Sequence, residues 1–173
     1  MEEISIEQVE ANEITALQQI SSLTFLETFT QGNTQANLDK YVTEKLTVEK
    51  LSAELANPES TFYFARFHNK IIGYLKINIG EAQTVFTDMK ALEIERIYVL
   101  QEFHGKKIGQ LLYNKALEFA RQIKASYLWL GVWEANERAI RFYSKNGLVA
   151  FDKHVFRLGD DEQTDIMMKQ ELT

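Results

Sequence analysis

Residues Glu93–Lys124 read EIERIYVLQEFHGKKIGQLLYNKALEFARQIK. The alternation of apolar and charged side chains over Leu92–Leu100 predicts a strand with one buried and one partly exposed face, and its imperfection indicates a local bulge. After a short loop, apolar residues recur at the spacing of one helix face, namely Ile108, Leu111, Leu112, Ala116, Phe119, Ala120 and Ile123. The stretch therefore predicts a strand, a tight loop and a long helix, around which the rest of the fold is arranged.

The loop of this stretch, His104–Gly109, presents the N-terminus of the predicted helix. The first amide groups of a helix lack partners within it and carry the positive end of its dipole, so they can bind an anion such as phosphate. Gly105 and Gly109 let the backbone approach an anion closely, and Lys106 and Lys107 add positive charge. An ordinary turn has the same pattern, so these physical features alone leave both interpretations open.

This stretch and a second block, Val132–Leu148, resemble the GNAT superfamily of acyl-CoA-dependent N-acetyltransferases. The usual loop pattern of that family is Gln/Arg-x-x-Gly-x-Gly/Ala, and both glycines of the loop fit it. His104 and Lys107 depart from it, because they stand where Gln or Arg and the middle Gly are expected. The second block reads VWEANERAIRFYSKNGL and resembles the family's Asn-x-x-Ala-x-x-x-Tyr helix with its Lys-x-Gly exit. The two blocks lie in the order and spacing that the family uses.

The resemblance extends over nearly the whole chain and implies its fold class. We expect an α/β protein with a mixed, mostly antiparallel central sheet of about six to seven strands, flanked by helices, in which the fourth and fifth strands are parallel and splay apart. Within the superfamily, the segments Thr24–Phe29 and Phe156–Asp165 are similar to bacterial spermidine/spermine N-acetyltransferases of the PaiA type.

Composition indicates one globular domain. A chain of 173 residues is long enough for one well-packed domain and short for two, so we expect a single domain over residues 1–173. Its hydrophobic fraction of 45% is ordinary for a soluble protein, and no segment approaches the roughly 20 apolar residues that span a bilayer. Because Met1–Ser5 lacks the features of a secretory signal, we expect a cytoplasmic protein that is not bound to a membrane.

Charge and residue usage exclude several kinds of site. The chain has no cysteine, which rules out disulfides, thiolate nucleophiles and cysteine-ligated metals. A net charge of −6 argues against general nucleic-acid binding and is compatible with a cationic substrate. The three histidines, His68, His104 and His154, show no ligand spacing, so we expect no metal site.

Local patterns predict the remaining elements. The expected strands are Ile4–Glu10, Thr61–Phe67, Ile71–Ile79, Ser126–Trp133, Leu148–Phe156 and Thr164–Leu172. The expected helices are Ile14–Phe29, two more around Leu38–Val42 and Val48–Leu55, and Asn136–Asn146. We expect a hairpin turn at His68 and a second hairpin with an acidic tip at Gly159–Glu162. The resemblance to the GNAT superfamily implies that the region of the first helices borders the acceptor site, whereas their helical spacing favours core packing for the aromatic residues.

The resemblance implies acetyl-CoA as co-substrate, with its pantetheine arm in the gap between the splayed parallel strands, a crevice that ligands favour. The residues expected to bind it are Ile97, Tyr98, Val99, His104, Gly105, Lys106, Lys107, Ile108, Gly109, Gln110, Asn136 and Lys145. The first three would bond the arm like an added strand, and the loop amides would hold the pyrophosphate. Lys145 is equally well explained as a solvated lysine near a helix C-terminus.

The resemblance also implies direct attack of an amine on the thioester within a ternary complex. An amine with a pKa of about 10.4 must lose a proton before it attacks, and a nearby carboxylate can accept that proton. Glu93 and Glu95 share one strand face by period-two geometry, so both are candidates. Comparison with polyamine acetyltransferases favours Glu95, whereas the histone-type enzymes favour Glu93. Tyr143 aligns with the tyrosine that acts as general acid towards the departing thiolate.

We expect the acceptor to be a primary amine, foremost spermidine or spermine. Carboxylates are expected to bind its ammonium groups. The candidates for this role are Glu27, Glu81, Asp88, Glu93 and Glu95. Two other interpretations stay open. The protein could acetylate a protein lysine or N-terminus, or it could be an acyl-CoA-binding regulator with little catalysis. The regulator is considered because His104 and Lys107 depart from the family's loop pattern. Dimers are common among members of the superfamily, so a homodimer also stays open.

Overall fold

The computed structural model describes residues 3–172, which form one sheet and five α-helices. The strands are β1 Ile4–Gln8, β2 Ser60–Phe67, β3 Lys70–Ile79, β4 Ala91–Val99, β5 Tyr127–Trp133, β6 Val149–Leu158 and β7 Asp161–Glu171. The helices are α1 Ile14–Phe29, α2 Gln35–Lys45, α3 Val48–Ala56, α4 Ile108–Gln122 and α5 Glu137–Lys145.

The strands are ordered β1-β2-β3-β4-β5-β7-β6. β4 and β5 run parallel, and the other neighbouring strands of the described sheet run antiparallel. α4 makes the connection between β4 and β5, as a parallel pair requires. The expected fold class, a mixed and mostly antiparallel sheet with one parallel pair and flanking helices, is confirmed.

β4 carries the bulge that its imperfect alternation predicted. Ile94 and Arg96 pair with consecutive residues of β3, so Glu95 between them has no partner on that strand. A bulge bends its strand at the unpaired residue. The parallel pairing with β5 ends at the same point, where Ile94 lies opposite Leu130. β4 and β5 therefore separate beyond this pair.

Helices cover both faces of the sheet. Lys76 of β3 pairs with Glu54 of α3, with 2.9 Å between Nζ and Oε1, and Lys76 lies opposite Phe62 of β2. The next residue, Tyr63, packs instead under Lys115 of α4, whose Nζ lies 5.5 Å from the ring centre. Because successive side chains of a strand point to opposite faces, α3 and α4 lie on opposite faces of the sheet. No helix within residues 3–172 is long and apolar enough to cross a membrane.

The apolar stripe predicted for α4 faces the core with two exceptions. Ile108, Leu112, Ala116 and Ala120 are buried. Leu111 is 39% exposed because it lies at the margin of the stripe, and Ile123 is 43% exposed at the C-cap, just beyond the last residue of α4. The N-caps of α2 and α3 are Thr34 and Thr47, whose side chains accept hydrogen bonds from Asn37 N and Lys50 N.

The two hairpins differ in how well their turns were predicted. β2 and β3 meet at the expected turn, where His68 has a φ of 55°. The acidic tip predicted over Gly159–Glu162 is too long, because Asp161 and Glu162 already pair with β6. Gly159 adopts a φ of 64°, which lets two residues make the turn, and Arg157 and Glu162 form an ion pair of 3.0 Å across it.

Candidate active site

The separation of β4 from β5 opens a cavity in the middle of the sheet. Beyond Ile94, β4 still pairs with β3 as far as Val99. Beyond Leu130, β5 still pairs with β7 as far as Trp133. The two facing edges therefore have no partner strand between them, and the gap opens into a cavity of about 1480 Å³. The backbone N–H and C=O groups along these two edges have no partner strand, so they can form hydrogen bonds with a ligand that enters the cavity.

Of the fifteen residues that the sequence predicts for catalysis or cofactor binding, all but Lys106 line this cavity. The side chain of Lys106 lies instead over the ring of Phe103, with 5.5 Å between Nζ and the ring centre. The structure therefore brings together the segments that carry these residues, namely the loop before α4, the end of β4 and the helix α5.

Two peptide groups of β4 face the gap. The N–H of Leu100 donates to the carbonyl of Ile72 across the β3–β4 pair, with 2.8 Å between N and O. Because the peptide groups of a strand alternate in direction, the N–H groups of Val99 and Ile97 point away from β3 and into the gap. His104 already bonds the carbonyl of Val99, with 2.8 Å between Nε2 and O. The N–H groups of Ile97 and Val99 remain available to a ligand.

The N-terminus of α4 has no side-chain cap. Lys107 occupies the N-cap position with a φ of 66°, and its side chain makes no capping hydrogen bond. The N–H of Leu111 donates a hydrogen bond to the carbonyl of Lys107, and this is the first backbone hydrogen bond of the helix. The amides of Ile108, Gly109 and Gln110 therefore lack partners within the helix. This is the place where an anion would satisfy them.

The side chain of Gln110 ties the start of α4 to the end of α5. Its amide exchanges two hydrogen bonds with Asn146, at 2.8 Å and 3.1 Å. Lys145 is exposed at the rim of the cavity beside this contact. Its position is compatible with both interpretations given for it above.

Asn136 is the N-cap of α5. Its side-chain oxygen accepts a hydrogen bond from Ala139 N at 3.2 Å. The oxygen is thus engaged in capping, and the amide NH₂ group is the part of Asn136 that can reach a ligand in the cavity.

Glu95 lies in a network of partly buried ion pairs. Its carboxylate is 2.6 Å from Lys76 Nζ and 3.0 Å from Arg96 Nη2, and Glu54 pairs with the same two cations. Asn78 Nδ2 donates a further hydrogen bond to it at 2.9 Å. Burial raises the pKa of Glu95, but Arg96 and Lys76 lower it more, and the net pKa lies below the ordinary value.

Glu93 is surrounded differently, although Asn78 contacts both carboxylates. It is 3% exposed and makes no ion pair within residues 3–172. Asn78 Nδ2 donates to it at 2.9 Å, and Thr84 donates from N at 3.0 Å and from Oγ1 at 2.5 Å. Burial raises the pKa of Glu93, and these hydrogen bonds lower it only in part, so the net pKa lies above the ordinary value.

Tyr143 places a protonated hydroxyl on the cavity wall. The side chain is 7% exposed, and its hydroxyl has no hydrogen-bond partner among residues 3–172. Its ring packs edge-on against Phe142, with 5.4 Å between the centres. Burial is the main cause that raises the pKa of Tyr143, and Tyr113 raises it further. The hydroxyl therefore keeps its proton at neutral pH.

Aromatic rings from α1, α2, β5 and β6 form one wall of the cavity, which we call the aromatic wall: Phe25, Phe29, Tyr41, Trp133 and Phe156. Phe25 stacks on Tyr41 with 4.3 Å between centres, and Phe29 lies 5.4 Å from Trp133 and 6.4 Å from Phe156. Phe25 and Phe29 are buried, as core packing predicts, and they also line the cavity, as the position beside the acceptor site implied by the resemblance predicts.

The five carboxylates considered for amine binding do not all converge. Glu27, Glu93 and Glu95 line the cavity, and Glu27 accepts a hydrogen bond from Gln101 N at 2.9 Å. Glu81 does not line the cavity, and Asp88 instead accepts a hydrogen bond from the Tyr127 hydroxyl at 2.7 Å. Within residues 3–172 no group of three or more His, Asp or Glu side chains is placed to hold a metal ion.

Sequence reasoning missed Asp165 as a site residue. Asp165 lines the cavity from β7, where it lies opposite Trp133 of β5 and His154 of β6. A signal was present, because period-two alternation puts Asp165 on the same strand face as the buried Met167. A charged residue on a buried strand face is a candidate for function.

Comparison with known proteins identifies relatives along the whole chain. The profile of the Acetyltransferase (GNAT) family matches residues 15–148. An uncharacterized N-acetyltransferase of Lactobacillus delbrueckii subsp. lactis is 40% identical over 169 residues, which cover 98% of each chain. An uncharacterized N-acetyltransferase of Mycobacterium bovis is 30% identical over 136 residues, which cover 79% of this chain and 83% of the relative.

Among solved structures, the PaiA N-acetyltransferase of Thermoplasma acidophilum in complex with coenzyme A is similar to this chain. The two superpose with a TM-score of 0.82 over 98% of this chain and 99% of that protein, at 21% identity. The fold is therefore shared over the full length of both proteins.

Proposed function

The chain belongs to the acetyltransferase (GNAT) family, and on that premise we propose that it transfers the acetyl group of acetyl-CoA to a primary amine of a small cationic molecule, foremost spermidine or spermine. The observation that carries the proposal is the meeting of four features in one cavity. These are an uncapped helix N-terminus, two unpaired strand edges, a buried carboxylate without a cation and a protonated tyrosine.

The residues around the gap fit acetyl-CoA. The pyrophosphate would take the free amides of Ile108, Gly109 and Gln110, where the positive end of the α4 dipole also favours an anion. The N–H groups of Ile97 and Val99 would bond the pantetheine arm as a neighbouring strand would. Because these contacts use backbone groups, the departures at His104 and Lys107 from the family pattern leave them in place.

The size of the cavity supports a ternary complex. Pockets for one small ligand commonly measure about 300–1,000 Å³, whereas this cavity measures about 1480 Å³. It therefore has room for an acceptor beside the acyl donor, as direct transfer requires.

Bound acetyl-CoA would supply an activated acyl group as a thioester. We assign proton removal from the amine to Glu93 rather than Glu95, which reverses the preference drawn from polyamine acetyltransferases. A general base works best when its pKa approaches the working pH, and Glu93 has a raised pKa and no cation beside it. Glu95 is held ionised by Lys76 and Arg96, which makes it a weaker base.

We assign to Tyr143 the second proton transfer, in which its hydroxyl protonates the departing thiolate. Its buried hydroxyl is protonated at neutral pH and is free of hydrogen bonds to other described residues, so it can donate to a thiolate that leaves. The amide N–H of Val99 or Ile97 would bond the carbonyl oxygen, where negative charge develops.

The acceptor end of the cavity suits an alkyl amine. The aromatic wall offers ring faces that attract cations and apolar surface that packs on methylene groups. Carboxylates line the same cavity, with Glu93 and Glu95 on β4 and Asp165 on β7. A slender chain with ammonium groups and methylenes between them matches this combination of charged and apolar surface.

The direct test is product analysis. The protein is incubated with acetyl-CoA and spermidine, and thiol release is measured beside the mass of the amine. We expect equal amounts of free thiol and singly acetylated amine. If calorimetry shows that acetyl-CoA binds while thiol stays at the level of spontaneous hydrolysis and no amine gains an acetyl group, the proposed activity is wrong.

A further inference from the structure

Asp165 is an acidic side chain of the cavity that neither the acid nor the base assignment uses. It forms no hydrogen bond and no ion pair with another side chain of residues 3–172 through its carboxylate. The side chain of His154 lies opposite it in the β6–β7 pair but farther away than an ion pair requires. A partly buried carboxylate without a partner calls for an explanation, because such groups are normally satisfied.

The carboxylate of Asp165 lies over the backbone of β5, at a residue without a side chain. Its Oδ2 lies 3.2 Å from the point where a Cβ of residue 131 would stand, and that residue is a glycine. Trp133, directly opposite on β5, belongs to the aromatic wall, and so does Phe156, two residues from His154 on β6. The carboxylate thus lines the cavity together with Trp133 and Phe156, which come from the strands on either side of β7.

Asp165 is too far from Glu93 for one nitrogen to meet both. Glu93 lies opposite Trp129 of β5, whereas Asp165 lies opposite Trp133, four residues further along that strand. At a rise of about 3.3 Å per residue and strand spacings of about 4.8 Å, their Cα atoms are on the order of 16 Å apart. The two side chains therefore serve different parts of a bound molecule.

We propose that Asp165, with Trp133 and Phe156, forms a subsite for a second ammonium group of the acceptor, so that the protein selects diamines and polyamines over monoamines. This inference rests on the proposed function, because it names the acceptor class of the same cavity. A carboxylate among aromatic rings binds an alkylammonium through charge and through cation–π attraction, and the apolar rings suit the adjoining methylenes.

The ionisation of Asp165 is compatible with this role. Burial raises its pKa to about 6, and His154 lowers it only in part. At neutral pH the carboxylate is therefore ionised, and a bound ammonium would stabilise that form further.

The test compares 1,4-diaminobutane with butylamine, which has the same carbon chain and one amine. Asp165→Asn keeps the shape of the side chain and removes its charge. We expect kcat/KM for the diamine to fall about tenfold or more, as the loss of a charged contact would produce, and kcat/KM for butylamine to change less than about twofold. Asp152→Asn, on the exposed part of β6, is the matched control and should leave both values unchanged.

A second variant and a binding measurement complete the test. Gly131→Ala places a methyl group against the Asp165 carboxylate and should also reduce selectivity for the diamine. Calorimetry of 1,4-diaminobutane with wild type and Asp165→Asn tests the subsite even if no amine is turned over, in which case the proposed activity fails and the subsite is judged separately. Equal loss with both amines, or unchanged affinity and kcat/KM for the diamine in Asp165→Asn, would overturn the inference.

Discussion

At the scale of single residues, the two carboxylates of β4 have different surroundings although Asn78 bonds both. Glu95 is ionised by two neighbouring cations, whereas Glu93 is buried among neutral hydrogen-bond donors. On this contrast we propose that Glu93 accepts the proton of the amine and that Glu95 stabilises the fold, and each proposal leads to a prediction of its own.

Glu93→Gln should lower kcat by about a hundredfold or more, because it removes the proton acceptor and keeps the shape of the side chain. In wild type, kcat/KM for a monoamine should rise with pH through the raised pKa of Glu93, so its acidic limb should lie above the ordinary carboxyl value of about 4.3. The limb should vanish in Glu93→Gln. Steady-state pH profiles check this, and an unchanged profile in the variant would remove Glu93 from the base role.

Glu95→Gln should instead lower the free energy of unfolding by about 3 kcal/mol, since it breaks a buried ion-pair network and leaves Lys76, 5% exposed, with fewer partners. The lowered pKa of Glu95 stabilises the fold above the unfolded-state value of about 4.3, and this contribution is lost as the pH falls through the folded-state pKa. Denaturation at pH 7 and pH 3 should therefore show a smaller difference between variant and wild type at pH 3.

The control for that stability measurement is Glu102→Gln. Glu102 pairs with Lys70 at 2.8 Å, but both side chains are more than half exposed. Exposed pairs contribute at most about 1 kcal/mol. A loss in Glu95→Gln no larger than in this control would show that the network does not stabilise the fold.

Sequence patterns identified Glu93, Glu95 and Tyr143 as cavity residues, because strand periodicity and the family motif fix their positions. They could not separate the two carboxylates. That distinction depends on Lys76 and Thr84, which lie on other elements and are brought close only by the β3–β4 register and the loop before β4. Asp165 had a local signal in its alternation with Met167, but that signal does not show that Trp133 and His154 of the neighbouring strands lie opposite it.

At the scale of elements, the N-terminus of α4 shows how a departure from the family pattern is accommodated. Lys107 stands where the pattern has its middle glycine and adopts a φ of 66°, a region that glycine occupies without strain. The backbone conformation is therefore kept at a cost of about 1 kcal/mol.

Lys107→Gly should raise the free energy of unfolding by about 1 kcal/mol, because it relieves this strain. Acetyl-CoA affinity should change by less than about tenfold, since the amides that hold the pyrophosphate remain. Lys106→Gly removes the same charge from the same loop at a residue without a positive φ and should not stabilise. Denaturant unfolding and calorimetry measure both effects, and equal stability changes in the two variants would argue against strain at residue 107.

The close approach of the β3 and β4 backbones holds the end of β4 in place at the edge of the gap between β4 and β5. A Cβ at Gly73 would lie 2.7 Å from the Tyr98 carbonyl oxygen and 3.3 Å from Val99 Cα, so the two backbones must move apart in Gly73→Ala. We expect a loss of about 1–3 kcal/mol in stability and weaker acetyl-CoA binding, because the end of β4 is displaced. For stability, Gly109→Ala is the control, since its Cβ would meet only the Phe142 ring at 3.9 Å. Unaltered stability and affinity in Gly73→Ala would contradict this account of the gap.

Elements with strong local signals were predicted closely, such as α1 and the β2–β3 hairpin. The ends of β6 and β7 were not, because Asp161 and Glu162 read as a polar loop and become strand only through pairing with Leu158 and Arg157. The pairing is local, but these polar residues lack the apolar alternation and the β-branched or aromatic side chains by which a strand is recognised in a sequence.

At the scale of the whole molecule, the active-site cavity is a consequence of topology. A bulge and the end of the only parallel pair within residues 3–172 coincide at Glu95, so the sheet opens where α4, α5 and the aromatic wall all face it. The resemblance predicted this splay. It also placed the first helices beside the acceptor site, but it could not predict which side chains of α1, α2 and the β6–β7 hairpin line that side, because these elements meet only in the folded molecule.

The measurement that tests the central claim most directly is thiol release from acetyl-CoA with spermidine, spermine, free lysine, a lysine peptide and an aminoglycoside, for wild type beside Tyr143→Phe. We predict turnover that is fastest with the two polyamines and that falls about a hundredfold in the variant, which retains its fold and acetyl-CoA affinity. Faster turnover of the lysine peptide than of either polyamine, or equal rates in wild type and Tyr143→Phe, would contradict the account.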